Sequence, residues 1–532
     1  MSDEISLKMP PQAWFADDSQ AAGRLGALRL WWDTLLMHGP AYGYFPKSSK
    51  TFLVVKPGLH ESARTIFAGT GIQISEGSDD DPTGGQRDLG AAIGSRKFVT
   101  EYLGKKIAKW TSQVERLAEI AMTQPHAAYS CFVFGIRNKW SYSQRTMKAI
   151  EKLMQPLEDA IRAKFLPALL GSANPMSDIV RELYALPARE GGLAVDNLVT
   201  GSAQKHADSK VVTAGLTELL MTCEPALLID EEKRKEVKAL IKKQQREIIE
   251  AESKRIYEHV PAELQRQLIF AKEKMASSVF TTRPLKKYGF CFPNKRDFRD
   301  LVAMRYHREP DGLPSICSCG KAYSLNHSQI CKLGGFIHMR HDGPKELFGE
   351  LCAEVCYDVQ VEPDLLPLTG EQFDHKTAKV APDARSDVRV RGFFTKEQNA
   401  FFEFRIVYPF ASSYLKMAPA ELYEHVAHLR KMEYEHRVNQ VDNGSFTPMI
   451  MLSTGGMGSE MTIAMKHLAR NLADRRKESY PAVATMLRCS MAFNVARSSL
   501  VCLRGSRTRH NKQSLEKLDN PSDLMVQELH LR

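Results

Sequence analysis

Three groups of residues carry the types and spacing that chemistry needs. "CSCGKAYSLNHSQIC", residues 317–331, has the spacing C-x-C-x7-H-x3-C. Three thiolates and one imidazole complete a tetrahedral zinc set and leave no open position for a substrate. Cys317, Cys319, His327 and Cys331 are therefore expected to hold one structural zinc. The ordinary alternative is buried free cysteines beside a surface histidine. Four ligands in fifteen residues, with Gly320 and Gly334–Gly335 close by, favour the metal. The second group lies in "APDARSDVRVRGFFTKEQNAFFEFRIVYP", 381–409. Its alternation puts Asp387, Arg389 and Arg391 on one strand face, and Glu403 with Arg405 on one face of a second strand. An aspartate and a glutamate on adjacent strands can hold magnesium or manganese, and a nearby cation can orient the attacking water. A solvated hairpin with alternating charges is the plain alternative. The third group is "FADD", with Asp17 and Asp18. Paired aspartates at a hairpin tip suit two-metal phosphoryl transfer, although most such pairs are exposed turn residues.

The elements that must position these groups follow from periodicity. "RLGALRLWWDTLLMH" (24–38) predicts a helix stopped by Gly39–Pro40, and "TFLVVKP" (51–57) a short buried strand. Phe98, Tyr102, Ile107, Trp110, Val114, Leu117 and Ala121 fall at helical spacing over 98–122, and a helical bundle continues to 170. Residues 172–210 read as loop-rich. A charged stretch over 230–260, with only Val237, Ile241 and Ile248 in its apolar stripe, predicts a solvated connecting helix. From 346 to about 500 the pattern is helix, strands, then helices, with "GSFTPMIMLSTGGMGSE" (444–460) a strand turning into a helix. Cys352 and Cys356 share a helical face and read as core rather than ligands.

A chain of 532 residues suggests three or four domains at roughly 150 residues each. The hydrophobic share of 43% supports real cores. Net charge +10 favours an anionic partner. No apolar run approaches the ~20 residues of a membrane helix, so no membrane partner is expected. Ten cysteines with one tight cluster fit a reducing compartment better than a disulfide framework.

These motifs together resemble the reverse transcriptase/endonuclease protein of non-LTR retrotransposons that carry a restriction-like endonuclease. "FADD" resembles the aromatic-x-Asp-Asp palm motif, "SSKTFLVV" (48–55) with Lys50 the palm segment after it, and "LGAAIGS" (89–95) the hairpin leading into the thumb. The cysteine–histidine knuckle, the Arg340–His341 pair and the 387–405 hairpin resemble the family's D…(D/E)-x-K nuclease half. The resemblance implies a multidomain α+β chain. Its parts would be a partial palm (1–95), a helical thumb (96–200), a helical linker (201–300), a zinc knuckle (301–345), an α/β restriction-endonuclease-like domain (346–503) and a basic flexible tail (504–532). It implies DNA and element RNA as partners, and a nuclear location. Asp387 and Glu403 would hold the catalytic metal, with Glu350 as an additional acid. Ser386 stands where the family favours proline before the first acid, and the literal Pro382–Asp383 lies four residues earlier, so Asp383 is the alternative. Arg405 stands where lysine is usual. Arginine stays protonated, so it stabilises charge but serves poorly as a base. In "HLRKMEYEHR", Lys431 with Tyr434 matches the displaced lysine and tyrosine of the retrotransposon nucleases. Polymerases of this class need a third carboxylate from an earlier palm strand, and only Asp3 and Glu4 precede the motif. The expectation is an element truncated at its 5′ end, or a gene model that starts inside one, whose Asp17 and Asp18 drive no polymerisation alone. A non-catalytic nucleic-acid-binding remnant, and a second chain supplying the polymerase half, are the alternatives.

Overall fold

The structure is a computed structural model that describes residues 9–15, 18–76, 84–172, 176–222, 231–273, 275–365 and 385–507. Asp17 and Asp383 lie outside the described residues. The fold is mixed α+β and divides into two compact units, each assembled from three stretches of chain. One comprises 1–119, 132–167 and 196–252; the other comprises 120–131, 168–195 and 253–532. Among the described residues, no helix is long and apolar enough to cross a membrane.

The first unit opens with an antiparallel hairpin, Gln12–Phe15 against Asp18–Ala21, whose last register pair is Phe15 with Asp18. Asp18 therefore stands at the tip. The helix Leu25–His38 buries Ala27, Trp31 and Trp32, and Gly39 follows it. The strand Phe52–Val55 pairs in parallel with Gln73–Glu76. Leu53 and Val55 pack there on Ala63 and Phe67. A second hairpin, Gly85–Asp88 with Ala91–Gly94, turns through Leu89 and Gly90, both at positive φ. A two-residue turn of that hand matches the right-handed twist of its strands. The helix Arg96–Thr123 places Leu103, Ile107, Trp110 and Val114 in the core at intervals of three and four, and Trp110 meets Trp140 edge-on.

The loop-rich reading of 172–210 is corrected, because helices run over Asp178–Ala185 and Leu198–Thr222. In the second of these, Gly201, Ser202 and Ser209 weaken the local signal. Tertiary contacts compensate. Buried Ser202 accepts from Gln144, while Lys205 and Arg137 pair with Asp196. The charged helix forms over Glu231–His259, with Ile241 buried and Ile248 exposed.

The second unit holds the elements that carry the cysteine–histidine cluster and the 387–405 hairpin. Helix α1 is Lys295–Arg305, α2 Leu325–Ile330 and α3 Phe336–Ala353. Strands β1 (Tyr357–Val361), β2 (Val388–Arg391), β3 (Asn399–Val407) and β4 (Ser445–Leu452) form one sheet in the order β4-β3-β2-β1. Helix α4 (Pro419–Gln440) links β3 to its parallel neighbour β4, and α5 (Ser459–Arg476) and α6 (Tyr480–Arg504) follow. The other pairs in this sheet are antiparallel.

Alternation along the strands divides the side chains between two layers. Val388, Val390, Phe402, Phe404 and Met449 pack with Phe348 and Cys352 of α3, Leu468 of α5 and Met491 of α6. Val407 and Ile450 face Leu422 and Val426 of α4, and Phe401 faces Tyr434 and Val438. A Cβ on Gly343 would lie 2.6 Å from Asn494 Oδ1, so a larger residue there would displace the Asn494 side chain of α6. Cys352 is buried in the core and Cys356 packs against it.

Candidate metal and carboxylate sites

The knuckle is built by a turn and a short helix. Cys317 N–H donates to Lys321 O, and Gly320 N–H to Cys317 O, with Gly320 at φ +88°. That conformation favours glycine. Ser324 caps α2 by accepting from His327 N–H, which sets the start of the ligand-bearing turn. Cys317 Sγ and Cys331 Sγ are 3.8 Å apart, Cys319 Sγ and His327 Nε2 3.3 Å, and all four ligand atoms fall within 4.8 Å of one another. Ligands at ~2.3 Å from one ion in a tetrahedron would be separated by about 3.8 Å. The donors thus fit zinc in type, number and spacing. Cys317 and Cys331 are buried, whereas Cys319 faces solvent. The Lys321 backbone hydrogen bond holds the Cys319 thiol below its usual range, and burial lowers the His327 imidazole; both shifts favour the ligand forms.

The end of α6 reaches back to the knuckle. Tyr323 Oη donates to Leu503 O, Ser318 Oγ to Arg507 O, and the Arg507 guanidinium to Ser328 O. Arg504 forks onto Asp300 of α1 with two 2.7 Å bonds. Gln329, buried between the ligands His327 and Cys331, donates to Ser499 O and accepts from Arg340 at 3.0 Å.

The second site lies at the entrance to β2. The β2–β3 ladder closes with Val388 opposite Phe402, and one further step sets Asp387 opposite Glu403. Beyond that ladder, the backbone of Phe404 is satisfied by side chains. Its N–H donates to Asp387 Oδ2 at 2.6 Å, and its carbonyl accepts from His341 Nε2 at 3.0 Å. The same His341 nitrogen lies 3.1 Å from Asp387 Oδ2, and its Nδ1 lies 3.1 Å from Asp342 Oδ1. Burial, then the neighbouring Asp387 charge, pushes the Glu403 carboxyl up to about 8. Glu403 Oε2 is buried with no hydrogen-bond partner among the described residues. A carboxylate pair with a buried, unsatisfied oxygen has the donor chemistry that a hard cation requires.

The other expected residues fall at differing distances from this pair. Arg405 is exposed and follows Glu403 by two positions on the same strand face. Lys431 is ion-paired with Glu460 of α5. Tyr434 is buried against Phe401, and the Glu403 charge acts on it. The cation of α4 that acts on Glu403 is Arg430, itself paired with Glu433 at 2.6 Å. Sequence reasoning singled out His341 only as one of the Arg340–His341 pair, and assigned no role to Arg430 or Lys345. The signals were present. Arg430 precedes Tyr434 by one helical turn, and His341, Asp342 and Lys345 recur within one turn of α3. In the first unit, Asp18 is exposed at its hairpin tip, and its charge adds to burial in raising the Asp88 carboxyl.

Among known proteins, no family model matches the chain, and no curated protein matches it at a significant level.

Proposed function

We propose that the second unit is a metal-dependent DNA endonuclease, part of a protein of the reverse transcriptase/endonuclease type found in non-LTR retrotransposons. The observation that carries this reading is the Asp387–Glu403 pair on adjacent strands, with Glu403 Oε2 buried and unsatisfied. Asp387 and Glu403 would hold the ion. Bound magnesium or manganese lowers the pKa of a coordinated water and offsets the charge that develops on a scissile phosphate. Arg405, exposed on the Glu403 face, supplies positive charge toward the DNA backbone. Lys431 keeps Glu460 company and is given the lesser part. The knuckle, with zinc on Cys317, Cys319, His327 and Cys331, serves structure and nucleic-acid contact. DNA is the substrate class, consistent with net charge +10, and element RNA the second partner. Asp17 and Asp18 are given no step in this chemistry.

Purified protein with magnesium or manganese should relax supercoiled plasmid by nicking, and Asp387→Ala and Glu403→Ala should each lose that activity. Nicking retained in both variants would remove the carboxylate pair from the mechanism. A non-catalytic nucleic-acid-binding protein is the second reading, favoured by the arginine that stands where lysine is usual and by the pairing of Lys431. DNA binding without nicking in the wild type would select it.

A further inference from the structure

Asp387 sits inside a closed circuit of hydrogen bonds. Glu362 N–H donates to the Asp387 backbone carbonyl at 2.8 Å. The Glu362 carboxylate accepts from Lys345 Nζ at 2.6 Å, and Lys345 donates again to Asp342 Oδ1 at 3.0 Å. Asp342 faces His341 Nδ1, and His341 Nε2 returns to Asp387 Oδ2. The circuit thus begins on the backbone of Asp387 and ends on its side chain. Lys345 is almost fully buried, and a buried ammonium needs both of its carboxylate partners. Three of the linking side chains come from one turn of α3.

Every neighbour of the imidazole is an acceptor. Nδ1 meets a carboxylate, and Nε2 meets a carboxylate and a carbonyl. Both ring nitrogens are therefore donors. With Phe404 N–H also on Oδ2, that oxygen of Asp387 is fully engaged, while Oδ1 accepts no hydrogen bond from the described residues.

We propose that His341 is a positioning residue that fixes the rotation of the Asp387 carboxylate, so that Oδ1 alone faces the divalent cation shared with Glu403. This inference rests on the endonuclease reading of the carboxylate pair. It adds that α3, through His341, determines how well that pair binds its ion. Outer-shell partners of metal-binding carboxylates commonly contribute 10–100-fold to affinity.

The test is a manganese titration of the zinc-loaded full chain, followed by electron paramagnetic resonance, with zinc content and melting temperature measured alongside. His341→Ala should weaken manganese binding about 10-fold or more while zinc content stays at one per chain. His341→Gln restores one N–H toward Asp387 and should recover most of the affinity. If His341→Ala does not fold, His341→Met fills the ring's volume without a donor and takes its place in the comparison. Wild-type affinity in His341→Ala, or equal loss in His341→Ala and His341→Gln, overturns the positioning role and leaves the endonuclease reading standing. Manganese binding that is unchanged in Glu403→Ala overturns the reading and the inference together.

Discussion

At the scale of single residues, charge placement decides the outcomes. His126 is the clearest case. It is buried among aromatic rings, stacked on Phe298 at 5.0 Å between centroids, and its Nδ1 accepts from Phe292 N–H. Burial lowers its imidazole from 6.5 to about 4. In the unfolded chain His126 takes a proton near 6.5, whereas the folded chain resists until about 4. Its contribution to stability is therefore complete above the first value and is lost as pH falls toward the second. In that window the loss is about 1.4 kcal/mol per pH unit. His126→Asn keeps an acceptor near Phe292 and cannot be protonated. Denaturant melts between pH 7 and 4 should show a shallower acid dependence for the variant, at lower stability near neutrality. At the knuckle, Cys319→Ser removes one of four ligands. Metal analysis should show one zinc per wild-type chain and strongly reduced zinc in the variant; a metal-free wild type that is folded would refute the zinc assignment.

At the scale of elements, α2 and α3 are locked together by Gln329 and Arg340. Arg340 is buried, and its Nε has no partner, so its bond to Gln329 satisfies part of an expensive charge. Gln329→Leu leaves that guanidinium less satisfied and should cost about 2 kcal/mol or more. A chemical melt of the zinc-loaded protein measures it. The same helices mark how far the sequence could be read. Periodicity located α3, the β2–β3 strand pair and β4, because a half-buried strand alternates and a packed helix repeats by three and four. It set Asp387 and Glu403 on adjacent strands, and the fold brings them opposite one another. It could not reach the circuit through His341, Asp342, Lys345 and Glu362, because helix phase, the path into β1 and the left-handed φ of Glu362 are tertiary facts. Nor could it find the helix Leu198–Thr222, whose buried Ser202 has its meaning only beside Gln144.

At the scale of the whole molecule, sequence order and spatial order differ. The resemblance implied consecutive segments; by contact, each compact unit is made of three separate stretches. His126 and Tyr129 belong to the same unit as Phe280, Phe298 and Phe493 and pack against them. A fragment that starts at residue 201 would carry the knuckle and the carboxylate pair but would lose those two aromatic partners. It should melt well below the full chain and be cleaved faster by protease. An equal melting temperature for the fragment would show that the unit does not need its early pieces. Net charge +10 adds a further expectation at this scale. DNA affinity should fall steeply with salt, with log K linear in log salt concentration.

The contacts of Arg507 with Ser318 and Ser328 bear on the timing of synthesis. They join positions 189 and 179 residues apart in sequence. At ribosomal rates of 5–20 residues per second, the knuckle emerges roughly 10–40 s before the arginine that closes over it. During that interval Cys317 and Cys331, buried in the finished fold, lack their final surroundings. Early zinc capture would protect these thiols while the end of α6 is still being made.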